Sequence, residues 1–466
     1  MKKNLIIGLS LVLAFFVTSC SLEPTIADAE EGMDILDAKS MRQMIDGSYV
    51  TMSNYRYHGR NMIIAGEIRA DNVHANGNSG RFVRWSNMNI LSTDSDVGDL
   101  MRYAYSTVSN ANLIIDLDLE SVEGDEEDKN QVLGEAYAMR AYAHFDLMRL
   151  FGQRYIDNGS DLGISYVKDY KVSENNKERG TFDDNIADLK SDIADAIQYL
   201  EAGQGSQFAA NKTNFTLDAA YALQSRVGTY IKDYEYAYEG SSEIVDNYAI
   251  TPEEDFVEYW KEQTPPEASI MELYQNTSDN NQSINGIANI YRGTSYGDVE
   301  PMPNLVADAE FESDDIRASS AMISGNAMNG YINAGKYPSM GTELGADNIK
   351  IFRIEEIVLN HAEALANGAG AGDALEYLNS IPENRGASSY GDASMENIIK
   401  ERRKELVFEG FRFFDLARTG MDIRDMGQPL NNHGEISAGD DKFALPIPQR
   451  ELDTNRDAVQ NPGYGS

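Results

Sequence analysis

In the stretch ERRKELVFEGFRFFDLAR, residues 401–418, three glutamates fall four residues apart. On a helix Glu401, Glu405 and Glu409 would share one face, a spacing that suits either a pair of glycosidase carboxyls or a buried ion-pair ladder. The local charge balance separates these two chemistries. Six cations, Lys400, Arg402, Arg403, Lys404, Arg412 and Arg418, meet four carboxylates, Glu401, Glu405, Glu409 and Asp415. That surplus lowers every carboxyl pKa, whereas glycoside hydrolysis needs one carboxyl held protonated. The stretch reads as a structural helix, with Ile399, Leu406 and Phe413 as its apolar stripe and Arg402, Arg412 and Arg418 within reach of the glutamates.

Other motifs with chemical potential fail on their flanks. GTSYG, Gly293–Gly297, has the G-x-S-x-G spacing of a serine-hydrolase elbow, but Pro301 and Pro303 forbid the helix that must follow it. GYINAGKY, Gly330–Tyr337, has P-loop glycine spacing, but Tyr337 stands where Ser or Thr should hold magnesium and Pro338 blocks the phosphate-capping helix. The five histidines, His58, His74, His144, His361 and His433, never stand at metal-ligand spacing. STDSDVGDL, residues 92–100, clusters oxygen donors without the Gly and Glu of a calcium loop. No cofactor, metal site or catalytic group is expected.

The elements that must carry any site begin after a leader. Lys2 and Lys3 precede an apolar run, Leu5–Val17, that is too short to span a bilayer, and the run ends at VTSC, where Cys20 is the chain's only cysteine. The arrangement resembles a bacterial lipoprotein signal, in which Cys20 receives a diacylglyceride and becomes the mature N-terminus. Residues 1–19 are then a signal peptide and 20–39 a lipidated, acidic, flexible tether. The formal charge of −37 makes phosphate backbones poor partners, so nucleic acid is not an expected ligand.

Residues 40–466 read as a single domain with 42% hydrophobic content overall. Helical periodicity is expected over Ser40–Tyr49, Asp99–Leu117, Asn130–Phe151, Asn185–Leu200, Leu217–Ile231, Tyr234–Val245, Ile351–Ala366, Ala371–Ile381 and Asn397–Arg418. The scaffold therefore occupies about 99–250 and 351–418, with loop-rich parts at about 54–98 and 251–347. AAYALQSRVGTYIKDYEYAYEGSSEIV has the small residues Ala219 and Ala222 and the turn of a tetratricopeptide unit, and HAEALANGAGAGDALEYLNSI repeats the idea. The fold class is mainly α: tetratricopeptide-like helix pairs form a superhelical half, and an irregular half carries few short strands.

Five segments together resemble one family. ERRKELVFEGFRFFDLAR, the ending QNPGY, EAYAMRAYAHFDLMRLFG, RIEEIVLNHAEAL and the lipobox with its acidic tether occur in the order found in SusD/RagB outer-membrane lipoproteins. The resemblance implies a lipid-anchored protein on the outer face of the outer membrane that captures oligosaccharides without turnover and passes them to a SusC-type TonB-dependent transporter. Some relatives handle peptides instead, so a RagB-type peptide-binding lipoprotein is the alternative, and a secreted glycoside hydrolase a weaker one. Sugar recognition needs aromatic faces and planar polar groups. The first irregular segment supplies Asp71, Asn72, Arg81, Trp85 and Asn87, and the second supplies Tyr291 and Tyr296. Of these, Asp71, Arg81, Trp85 and Asn87 are carried over from the starch-binding relatives.

Overall fold

The structure is a computed structural model that describes residues 37–153, 159–170, 177–208, 211–276, 278–281, 284–292, 297–326, 330–338 and 346–465. The chain divides into two units, Met1–Leu36 and Asp37–Ser466, and every described residue belongs to the second. The leader and Cys20 lie outside the described residues.

Helices α1 (Ala38–Ser53), α2 (Asn61–Glu67), α3 (Ser95–Ile115), α4 (Glu126–Phe151) and α5 (Phe182–Ala202) make up the N-terminal half. A side-chain cap fixes most of these starts. Asp37 accepts from the Ser40 amide, Asp94 from the Asp96 amide, and Thr181 forms a capping box with Asp184. Helix α4 packs against both α3 and α5 and is buried on nearly every side, as its small and large apolar residues require. The α4–α5 contact depends on Gly134, where a Cβ would sit 2.7 Å from Leu200 Cγ. Arg140 clamps the same pair by a two-pronged ion pair to Asp192, at 2.6 and 2.8 Å.

Helices α6 (Leu217–Ile231) and α7 (Tyr234–Ser242) form the expected hairpin, and α7 packs on α8 (Ile354–Ala366), which pairs with α9 (Ala374–Glu383). Gly228 lets the α6–α7 hairpin close, since a Cβ there would lie 2.4 Å from the Ala237 amide nitrogen. Ala237, Ala364 and Ala369 form the small-residue seam between successive pairs. This stacking of helix pairs is the tetratricopeptide-like half.

Two expected helices are shorter than their periodicity suggested. The run from Ile351 begins as a strand, β6 (Ile349–Arg353), and turns helical only at Ile354. The run to Arg418 is broken into α10 (Met395–Glu405) and α11 (Arg412–Thr419) by left-handed residues Phe408 and Gly410. Glycine is required there because its φ is +88° and a Cβ would lie 2.8 Å from the Ile63 Cα on α2, and the same close approach demands Gly66, whose Cβ would lie 1.9 Å from the Gly410 carbonyl oxygen.

The irregular half contributes three two-stranded antiparallel pairs among the described residues. Strand β1 (Val73–Ala75) pairs with β3 (Val299–Pro301), placing His74 opposite Glu300. Strand β2 (Ser269–Leu273) pairs with β6 through a bulge, and β4 (Ile323–Asn326) pairs with β5 (Gly330–Asn333). The P-loop-like glycines thus belong to a hairpin, and Lys336 is buried against Glu409 at 2.6 Å.

The glutamate ladder is a buried ion-pair network. Glu401 accepts from Arg317, Glu405 from Arg317, Arg353 and Arg385, and Glu409 from Arg353 and Lys336. Its cations come from distant segments, not from Arg402, Arg412 and Arg418. Arg402 and Arg418 instead bind Asp415, and Arg412 binds Asp71. These guanidiniums hold Glu405 well below the ordinary carboxyl range in spite of its burial.

Candidate functional site

The pairing of β1 with β3 brings the loop after β1 against the segments before β3. Asn76 donates to the Gly297 carbonyl and, at 2.9 Å, to Glu300, while the Ser79 amide donates to Asp298. Arg81 lies against Asp298 at 3.2 Å and donates to the Ile284 carbonyl. A third segment closes the face: Gly77 abuts Leu430, and Asn87 accepts from the Asn432 amide at 3.1 Å while donating to the Val83 carbonyl. Arg84, Asn89 and Ile284 stand exposed around it.

From this face a ladder of arginines and aromatic rings runs toward α3. The Arg60 guanidinium lies 5.5 Å from the Phe82 ring centroid and 4.7 Å from that of Tyr55, and Arg56 lies 4.4 Å from Tyr55 and 5.9 Å from Tyr103. Burial lowers Arg60 to about 10, with Asp96 opposing the shift and Arg81 and Arg56 adding to it. The first turn of α3 holds the ladder in place. Asp96 accepts from Arg60 at 3.2 Å, and Asp99 accepts from Arg56 at 3.1 Å and Arg102 at 2.6 Å. Beyond Asp99 opens a cleft of about 730 Å³, lined by Tyr105, Tyr170, Arg102 and Arg450 among others.

The carboxylates at this face are committed: Asp96, Asp99 and Asp298 to arginines, Glu300 to Asn76. What the face presents is planar: guanidinium, amide and half-buried tyrosine. Such groups satisfy ring hydroxyls and cover a ring's C–H face.

The expected site residues divide sharply. Arg81 and Asn87 reach this face, partly exposed. Four others are buried in this structure. Asp71 is the hub of an ion cluster, bound by Arg412 at 2.7 Å and Arg424 at 2.7 Å, and these cations hold its carboxyl far below the usual range against the effect of burial. Asn72 accepts from Arg403 and donates to Glu67. Trp85 is 2% exposed, with its indole N–H donating to Asp94, and Tyr291 is wholly buried, donating to the Phe408 carbonyl. All four are committed to contacts within the protein. Tyr296, with most of GTSYG, lies outside the described residues, and the segment before it is helical, Ile287–Arg292, where a hydrolase elbow needs a strand. Sequence reasoning missed Tyr55, Arg56 and Tyr103. The alternation of Arg and Tyr in NYRYHGR and MRYAY was the available signal.

The comparisons with known proteins cover both halves of the chain. Residues 27–229 match a family model described as starch-binding associating with outer membrane, and residues 267–464 match the model of the SusD family. The SusD-like protein P2 of Formosa agariphila is 26% identical over 485 residues, spanning 91% of this chain and 92% of that protein. The crystal structure of a putative sugar binding protein from Bacteroides vulgatus matches with a TM-score of 0.83 at 27% identity, covering 93% of this chain and 100% of that one. A SusD superfamily protein from Bacteroides thetaiotaomicron gives 0.82 at 26%, covering 91% and 100%. Surface glycan-binding protein A from Bacteroides thetaiotaomicron, solved with laminarihexaose, shares the fold at 20% identity and a TM-score of 0.75, covering 91% and 99%. Matched in tandem over its N-terminal and C-terminal halves, and aligned nearly end to end with SusD superfamily structures, the chain belongs to the SusD/RagB family.

Proposed function

We propose that this protein is a glycan-binding lipoprotein of the cell surface that captures oligosaccharides and passes them, unhydrolysed, to a SusC-type TonB-dependent transporter in the outer membrane. The observation that carries the binding role is the face built from Asn76, Arg81, Asn87 and the Tyr55–Arg56–Tyr103 ladder, which combines planar donors with aromatic rings while tying its carboxylates into ion pairs. A binding protein needs the first property. A hydrolase would need a carboxyl left free to take up or donate a proton. Anchoring is assigned to a lipid on Cys20 on the strength of the lipoprotein-like leader that ends at VTSC.

The test is calorimetric titration of a soluble form beginning at Ser21 against neutral plant, host and microbial oligosaccharides and mixed peptides, with product analysis of the same samples. Arg81→Ala and Tyr103→Ala should each weaken glycan binding about tenfold, the loss of one contact of about 1.4 kcal/mol. Release of reducing ends, or binding confined to peptides, would overturn the reading. In the native host, the lipidated protein should co-purify with a large β-barrel protein, and Cys20→Ser should release it from the membrane fraction.

A further inference from the structure

A second cleft, of about 760 Å³, lies between α10, α11 and the α6–α7 corner, on residues that the loop face does not use. Its volume is that of a small-ligand site. Its charge is opposite to that of the chain. Lys232, Lys400, Arg403, Arg412 and Arg424 line it, against Asp308, Glu310 and Glu396, in a protein of formal charge −37. Three of the arginines converge on only two carboxylates. Asp71 is held by Arg412 and Arg424, Asp308 by Arg403 at 2.8 Å and Arg424 at 2.7 Å, and the cluster keeps one positive charge in excess.

That excess is presented to solvent through Arg424. Its side chain is 44% exposed, and its orientation is set before any ligand arrives, because Asp71 accepts from Nε and Nη2 and Asp308 from Nη1 and Nη2. Lys232, at the left-handed end of α6, enters no ion pair among the described residues. The same cleft also has apolar lining. Met421 is 42% exposed at the lip, with Ile399 and Tyr234 alongside. A carboxylate would take the one Nη1 hydrogen of Arg424 not held by Asp71 or Asp308 together with the Lys232 ammonium, and the ring that bears it would lie on the methionine and tyrosine.

We propose that this cleft is a second saccharide site, selective for carboxylate-bearing oligosaccharides built of hexuronic acids, with Arg424 and Lys232 as the carboxylate ligands and Met421 and Tyr234 as the ring platform. The proposal deepens the glycan-binding reading and rests on it for the saccharide class, but it uses a different set of residues.

The experiment is titration of the soluble form with short galacturonate, glucuronate and mannuronate oligomers, with neutral oligomers of equal length, and with a glutamate-rich peptide. At least one hexuronate oligomer should bind, and its dissociation constant should rise about tenfold between about 50 and 500 mM salt. Arg424→Gln and Lys232→Gln should each weaken it by about the same factor, since one lost charge contact of that size is about 1.4 kcal/mol. Because Arg424 also buttresses Asp71, Lys232→Gln and Met421→Ala serve as variants that leave the ion cluster intact. Arg81→Ala should leave hexuronate binding unchanged while weakening neutral binding at the loop face about tenfold, so the two sites fail separately. Absence of hexuronate binding, equal affinity for neutral oligomers or the peptide, or insensitivity to Lys232→Gln and Met421→Ala would overturn the assignment.

Discussion

Replacing Glu405 with glutamine should destabilise the folded unit by about 4 kcal/mol, the cost of removing one partner from a buried ion pair. The geometry sets this magnitude. The two carboxylate oxygens accept four guanidinium hydrogen bonds, from Arg353 at 2.7 Å, Arg385 at 2.9 and 3.0 Å, and Arg317 at 3.0 Å, with no solvent exposure. Glutamine keeps one acceptor oxygen and turns an amine toward guanidiniums at the other, so two donors lose their acceptor and face a third. Among the described residues Glu401 accepts from Arg317 and the Tyr390 hydroxyl alone, so Glu401→Gln should cost about half as much. The assay is urea unfolding at neutral pH, comparing midpoints at unchanged slope. The sign of the pH dependence follows from the depressed carboxyl. Glu405 contributes stability above the ordinary value of 4.5 and loses it as pH falls toward its folded value well below, so the gap between wild type and Glu405→Gln should close on acidification. A loss below about 1 kcal/mol, or a gap that persists at acid pH, would refute the ladder as a source of stability.

Other substitutions probe the same architecture. Burial raises Glu67 to about 7 even though the Gly410 amide and Asn72 donate to it, so it opposes folding increasingly as pH rises from 4.5 through 7. Glu67→Gln should therefore remove up to about 3 kcal/mol of stability loss across that window, read as a flatter denaturation midpoint against pH. Trp85→Ala should cost about 3–5 kcal/mol in unfolding experiments as a cavity in the core, while Trp85→Phe should keep glycan affinity within about twofold, because the ring touches protein and not ligand. Gly228→Val should disrupt the α6–α7 hairpin by about 3 kcal/mol, seen as lowered thermal stability, since its side chain would collide with the Ala237 backbone.

Periodicity located the helix pairs because a helix declares its buried face in residues three and four apart, and Leu217–Ile231 appears with the expected boundaries. The same local reading merged β6 with α8 and α10 with α11, since an apolar stripe does not record where a left-handed Phe408 or a close-approaching Gly410 turns the chain. In the loop-rich half, residue types were legible but their direction was not. Asp71, Asn72, Trp85 and Tyr291 are the kinds of side chain that grip a sugar, yet each points inward to partners more than a hundred residues away or to a neighbouring cap. Charge and hydrogen-bonding capacity belong to the residue and can be read from the chain. Whether that capacity is spent on the protein or left for a ligand depends on which distant segments the fold brings alongside, as it brings Arg412 to Asp71 and leaves Arg81 at the surface beside Asp298.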